Sequence, residues 1–115
     1  MALKAEIKEG TTKEILNQYI GHFKESKKWI GNVCLAAHNR GYAKNYFSDI
    51  KKLKEGDIIQ YYYQNEKKEY VVKKNIIIQD IDTSCIENTE ENQITLITCV
   101  ENEPSYRRCI QGIEK

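Results

Sequence analysis

The apolar positions of the chain fall into short runs, several rich in β-branched residues and divided by polar or glycine-containing turns. Residues 94–99 read ITLITC. Ile94, Thr95, Ile97, Thr98 and the following Val100 favour extended backbone, and the run is too short for a typical helix and lacks a helical stripe. Glu101, Asn102, Glu103 and Pro104 predict a turn, and YRRCIQG at 106–112 predicts the return strand of a hairpin. Residues 32–37 are almost continuously apolar, as expected of a strand covered on both faces, and they close on His38 and Asn39. Residues 58–63 and 68–74 predict a second hairpin around a polar turn at 64–67, and 75–81 continue it past a kink.

Helical signals are few. Thr11 or Thr12 caps a short helix reaching about residue 17, with Glu14 early in it and Leu16, Tyr19 and Ile20 supplying core contacts. Residues 21–23 leave that element, and 24–31 read as a surface loop. Tyr46, Phe47, Ile50 and Leu53 predict a short helix or helical turns over 44–53. Residues 1–7 form an extended start. Residues 82–93 have no periodicity and predict a long loop, a kind of segment that is often functional in compact domains. Short strands without strand–helix alternation predict a mainly β single domain: a closed or nearly closed barrel with one or two short helices.

Composition narrows the function classes. The chain has 115 residues, enough for one modest core, with a net charge of +1 and 30% charged residues. Acidic and basic groups are interleaved, so no nucleic-acid partner or polybasic membrane patch is expected. Residues 1–115 contain no apolar run long enough for a transmembrane helix or signal peptide. Tyr61, Tyr62 and Tyr63 are consecutive, so they alternate faces of a strand and read as sheet packing rather than a base-stacking strip. No glycine-rich phosphate loop and no regularly spaced carboxylate pair is present.

Cysteine usage leaves more open. Cys34, Cys85, Cys99 and Cys109 permit three complete pairings, but a core of this size does not require disulfides. Without CxxC spacing and with only two histidines, no zinc site is expected. Asp80, Asp82, Glu87, Glu90 and Glu91 are hard ligands that suit calcium, yet their spacing has no EF-hand form; no metal or cofactor is expected. Cys34 and Cys109 read as buried small hydrophobes, and Cys85 as an incidental thiol.

Cys99 differs because it ends its strand at a turn, where a thiol can meet solvent; a plain core cysteine is the competing reading. A guanidinium nearby favours thiolate and can donate to an oxyanion. Arg107 and Arg108 are the candidates, and strand alternation lets only one of them face the cysteine. His38 also ends an apolar strand, fit either for a structural role or for shuttling a proton to a leaving amine. His22 is a weaker candidate. Cysteine, histidine and arginine at three strand ends would make a cysteine acyl-transfer site.

At these residues the chain resembles the sortase family of cysteine transpeptidases. TLITC at 95–99 is similar to the segment ending in the family's nucleophile, and NVCLAAHN at 32–39 to the strand ending in its histidine. The resemblance extends over EGTTKEILNQYIGHF at 9–23, YFSDIKKLKEGDII at 46–59 and the 94–112 hairpin. Ala37 stands where the family commonly has glycine.

The resemblance implies a sortase-like mixed or antiparallel barrel forming one catalytic domain over 1–115. The family domain's first strand and N-terminal membrane anchor would precede residue 1. It implies Cys99 as nucleophile, His38 as proton donor and Arg107, the better placed arginine, as stabiliser of the oxyanion or holder of the peptide. The substrate would be an LPXTG-like sorting peptide, and the acceptor an amine of peptidoglycan or a pilin. The full-length protein would lie at the extracellular face of a Gram-positive membrane, and residues 1–115 by themselves would be soluble. Two alternatives stand beside this: a catalytically impaired peptide-binding domain on the same barrel, and a disulfide domain pairing Cys99 with Cys85 or Cys109.

Overall fold

The computed structural model describes residues 5–100 and 102–115. The first four residues of the expected extended start, and Glu101 of the expected turn, lie outside the described residues. The strands are β1 (Ile7–Glu9), β2 (Ile20–His22), β3 (Asn32–Ala36), β4 (Ile58–Tyr63), β5 (Glu66–Gln79), β6 (Gln93–Val100) and β7 (Glu103–Glu114). They form one sheet in the order β1-β2-β3-β6-β7-β5-β4. The β1/β2 and β3/β6 pairs are parallel and the others antiparallel. The sheet curls into a half-barrel, with β1 and β4 as its two edges.

One face of the curl holds the core. Val33 and Leu35 of β3, Ile94 and Leu96 of β6, Ile110 of β7, and Tyr70 and Val72 of β5 are all buried in one cluster. Phe47, Ile50 and Leu53 close its end. These three recur every third residue, the period of a 3₁₀ helix rather than an α-helix. The segment accordingly forms turns and a single 3₁₀ turn at Ile50–Lys52, not a longer helix over 44–53. The first helix, α1 (Lys13–Leu16), starts at Thr12, whose side chain accepts from the Ile15 amide.

Two other differences from the sequence reading have local causes. The β4/β5 connection is a two-residue turn, with Gln64 at φ 49° and Asn65 at φ 67°. Left-handed geometry at both central positions suits a tight hairpin, so pairing resumes at Glu66 instead of after residue 67. Of residues 21–23, expected to leave the helix, Gly21 and His22 instead join Ile20 in the wholly buried β2 (Ile20–His22). Three residues are too few to show alternation. A Cβ on Gly21 would lie 2.4 Å from the Gly10 carbonyl oxygen and 2.8 Å from Leu16 Cδ2, so only glycine admits this close packing. The kink in β5 is a register shift between Val72 and Lys74, after which the strand continues to Gln79.

Candidate active site

The ends of β3, β6 and β7 converge because β6 is the strand between the other two. The parallel β3/β6 ladder runs to Ala36 opposite Ile97. Beyond it the Ala37 amide donates to the Ile97 carbonyl at 3.4 Å. The buried Thr98 hydroxyl donates to the Ala37 carbonyl at 2.7 Å, and the Asn39 side-chain amide donates to the Cys99 carbonyl at 2.7 Å. His38 therefore lies between two residues that are strapped to Thr98 and Cys99. Carrying the register forward puts His38 level with Cys99.

On the other side, Cys99 is the direct cross-strand partner of Arg107. Directly opposite residues project from the same face of a sheet, so Arg107 shares the face of Cys99 and Arg108 lies on the other. A register irregularity follows between Cys99 and Val100, and Asn102 in the connection has φ 62°. Cys99 is exposed, which removes the core-cysteine reading, and its thiol is free, with no bond to the buried Cys85 or Cys109.

The two arginines are held differently. Arg107 Nη1 donates to the carbonyls of Pro104 and Tyr106, each at 2.8 Å, so its guanidinium rests against its own strand. Arg108 Nη1 donates to Asn75 Oδ1 at 2.6 Å, and Asn75 in turn donates to the carbonyls of Lys51 and Leu53. A hollow of about 200 Å³ is lined by Arg108 together with Asn39, Thr98 and Cys99. Register thus aligns Arg107 with the thiol, while Arg108 shares a hollow with it.

His38 has an aromatic cover that the sequence did not disclose. The Tyr42 ring stacks on the imidazole with centroids 3.7 Å apart and an angle of 10°. Tyr42 is itself positioned by Asn45, which accepts from the Tyr42 amide at 3.3 Å and donates to its carbonyl. His38 Nε2 is buried without a hydrogen-bond partner. Burial disfavours the imidazolium, so the His38 pKa is lowered from its ordinary value.

His22 is structural. It is buried in β2, with Nδ1 2.9 Å from Glu9 Oε1 and Nε2 2.7 Å from the Lys27 carbonyl. A carbonyl only accepts, so Nε2 carries a proton there and cannot act as a base toward the nearby Ser26 hydroxyl. In the acidic loop, Asp82 accepts from the Ser84 amide and hydroxyl, which lower its pKa. No group of three or more histidine, cysteine, aspartate or glutamate side chains among the described residues is arranged to hold a metal ion. No helix among them is long and apolar enough to cross a membrane.

Comparison with known proteins agrees with this architecture. A sortase-domain family model matches residues 1–112. Sortase A of Bacillus anthracis is 33% identical over 105 residues, covering 90% of this chain and 50% of that protein. Putative sortase YwpE of Bacillus subtilis is 32% identical over 78 residues, covering 66% of this chain and 74% of that protein. The fold superposes on a lid mutant of sortase A from Corynebacterium diphtheriae with a TM-score of 0.91 at 24% identity, covering 98% of this chain and 64% of that one. Sortase C1 from Streptococcus agalactiae gives 0.90 at 24% identity, covering 98% and 62%. The chain spans half the length of the B. anthracis protein and under two thirds of each of these two structures.

Proposed function

The chain belongs to the sortase family, and from that premise we propose that it is the catalytic part of a cysteine transpeptidase. Its substrate is an LPXTG-like sorting peptide, and its acceptor an amine of the cell wall or of a pilin. The full-length protein acts from a membrane anchor at the extracellular face of a Gram-positive cell. The observation that supports this reading is the pairing of Cys99 with Arg107 across β6 and β7, with the residues on either side of His38 strapped to Thr98 and Cys99.

In the first half-reaction the Cys99 thiolate attacks the carbonyl after the motif threonine. Arg107 donates to the oxyanion through guanidinium N–H groups other than those on Nη1, which holds the Pro104 and Tyr106 carbonyls. Protonated His38 passes its proton to the leaving amine as the tetrahedral intermediate collapses to a thioester. In the second half-reaction an acceptor amine attacks the thioester, His38 takes up a proton, and the thiolate leaves. Water replaces the amine in slow hydrolysis. Because the neutral imidazole is favoured by burial, only a fraction of molecules carries the required proton at neutral pH.

Sorting peptides incubated with the protein and a small amine, with products identified by mass spectrometry, test this directly. Turnover is expected from the parent and none from Cys99→Ala; turnover persisting in C99A rejects the nucleophile. Arg107→Ala is expected to lose about 100-fold or more in kcat, and Arg108→Ala less. The reverse order would assign the role to the arginine in the hollow. A peptide-binding module on the same fold is favoured by one observation, the engagement of Arg107 by its own strand's carbonyls. It predicts peptide retention without turnover in the same experiment.

A further inference from the structure

Of the three remaining cysteines, Cys34 and Cys109 lie on the sheet face away from the core, and Cys85 belongs to the 80–92 loop that covers them. Cys109 of β7 is fully buried and Cys85, in a 3₁₀ turn at Ser84–Ile86, is 8% exposed. Their sulfurs stand 2.9 Å apart, both as free thiols. That is less than an ångström beyond the bond length of a disulfide, about 2.05 Å. Cys34 of β3 is close by, its thiol directed at the Ile86 carbonyl at 3.8 Å.

The Cys85 turn is not resting on the sheet by chance contact. Asn32 donates through its side chain to the carbonyls of Cys85 at 2.9 Å and Glu87 at 2.8 Å. Gln111, two residues beyond Cys109 on the same face of β7, donates to the Cys85 carbonyl at 3.2 Å. Thr95 of β6 donates its one proton to Asn32 Oδ1 at 2.8 Å, which holds the Asn32 amide in place for these bonds. Donors from β3 and β7 thus grip one carbonyl, with Thr95 of β6 supporting the first of them, and the turn is fixed with its thiol beside Cys109.

We propose that Cys85 and Cys109 are a redox site: they form a reversible disulfide that fastens the 80–92 loop to the strand carrying Arg107. The oxidant is an external disulfide. Cys85, the less buried partner, attacks it, forming a mixed disulfide and releasing one thiol. Cys109 then attacks the Cys85 sulfur, releasing the second thiol. Two S–H bonds are lost, one S–S bond forms, and the external disulfide is reduced to two thiols. Burial, and then the Cys85 neighbour, raise the Cys109 thiol above its ordinary pKa and so disfavour its thiolate. The site is separate from Cys99 and from the acyl-transfer chemistry proposed for it.

The test uses the Cys99→Ala protein, so that the exposed thiol does not react. The folded protein is incubated with oxidised glutathione; in parallel, the reduced unfolded chain is refolded in a glutathione redox buffer. Denaturation, alkylation and peptide mass mapping follow. The expected result is that three alkylatable thiols fall to one, Cys34, with a linked Cys85–Cys109 peptide that dithiothreitol releases. The bond closes a loop between residues 24 apart, and should raise the melting temperature by roughly 5 to 15 °C. Cys109→Ala should abolish both the link and the shift. Three free thiols after both treatments, or a link through Cys34, would overturn the proposal.

Discussion

Thr98→Val replaces a buried hydroxyl by a methyl of nearly the same shape and cuts one of the two straps that hold His38 beside Cys99. Thr98 is 5% exposed and its hydroxyl reaches the Ala37 carbonyl at 2.7 Å, so water cannot readily replace it. The variant loses a hydrogen bond worth about 1 kcal/mol net and leaves a buried acceptor short of its donor, which together cost about 1 to 3 kcal/mol. For a domain of 115 residues that is a fall in melting temperature of roughly 4 to 12 °C. Thr98→Ser separates geometry from stability: it keeps the hydroxyl and loses one methyl, at a cost of about 1 kcal/mol. If the strap positions His38, T98V should also lose peptide turnover per folded molecule well below its melting temperature, while T98S keeps it. Thermal unfolding and turnover, measured on both variants at one temperature, decide the matter. Parent-like stability and turnover in T98V would show that the Thr98–Ala37 bond positions nothing.

Three further perturbations address other parts of the structure. Because burial lowers the His38 pKa, the folded state disfavours the imidazolium. Its contribution to stability is therefore present above the usual histidine value near 6.5 and lost as pH falls through the lowered folded value. Tyr42→Ala uncovers the ring, so denaturant unfolding across pH 4 to 8 should show a shallower loss toward acid, and the limb of the pH–rate profile due to His38 should move upward; an unchanged profile would exclude Tyr42 as its cover. Gly21→Ala forces a Cβ against the Gly10 carbonyl and should destabilise by about 2 kcal/mol or more, seen as a lower urea midpoint, whereas a parent-like midpoint would mean that β1 and β2 are not packed as described. Lys68→Met keeps the stem of a buried side chain but removes its ammonium from the Trp29 carbonyl at 2.7 Å and from the Trp29 ring at 4.1 Å. A loss of about 1 to 3 kcal/mol with altered tryptophan emission is expected; unchanged emission and stability would mean that the ammonium does not hold the 23–31 loop.

How much of the site could be read from the chain depended on which contacts are local. The apolar runs before His38 and Cys99 end where their strands reach solvent, so both strand ends were visible as pattern. The short β2 was not, because its burial comes from Gly10 and Leu16 packing on Gly21 rather than from alternation. The straps from Thr98 and Asn39 join residues about sixty positions apart, and the Tyr42 stack depends on the path of an irregular loop. None has a signature in spacing. Nor does the Cys85–Cys109 pair, since the Cys85 turn is fixed by distant side chains on β3 and β7.

The choice between Arg107 and Arg108 shows how local and distant constraints combine. Alternation requires that one arginine face Cys99, but it cannot say which, because a shift of one residue in β7 exchanges them. Gly112 removes that freedom. A Cβ there would lie 3.1 Å from the Val71 carbonyl oxygen and 3.2 Å from Tyr70 Cβ, so the β5 backbone comes close only where β7 has no side chain. With Gly112 opposite Val72 and Ile94, the ladder places Arg107 opposite Cys99, and the irregularity after Cys99 absorbs the remaining mismatch at the turn. The facing of Arg107 is thus tied to the register in which Gly112 meets the β5 backbone. A larger residue at 112 should therefore disturb the cysteine–arginine alignment as well as the β5/β7 packing.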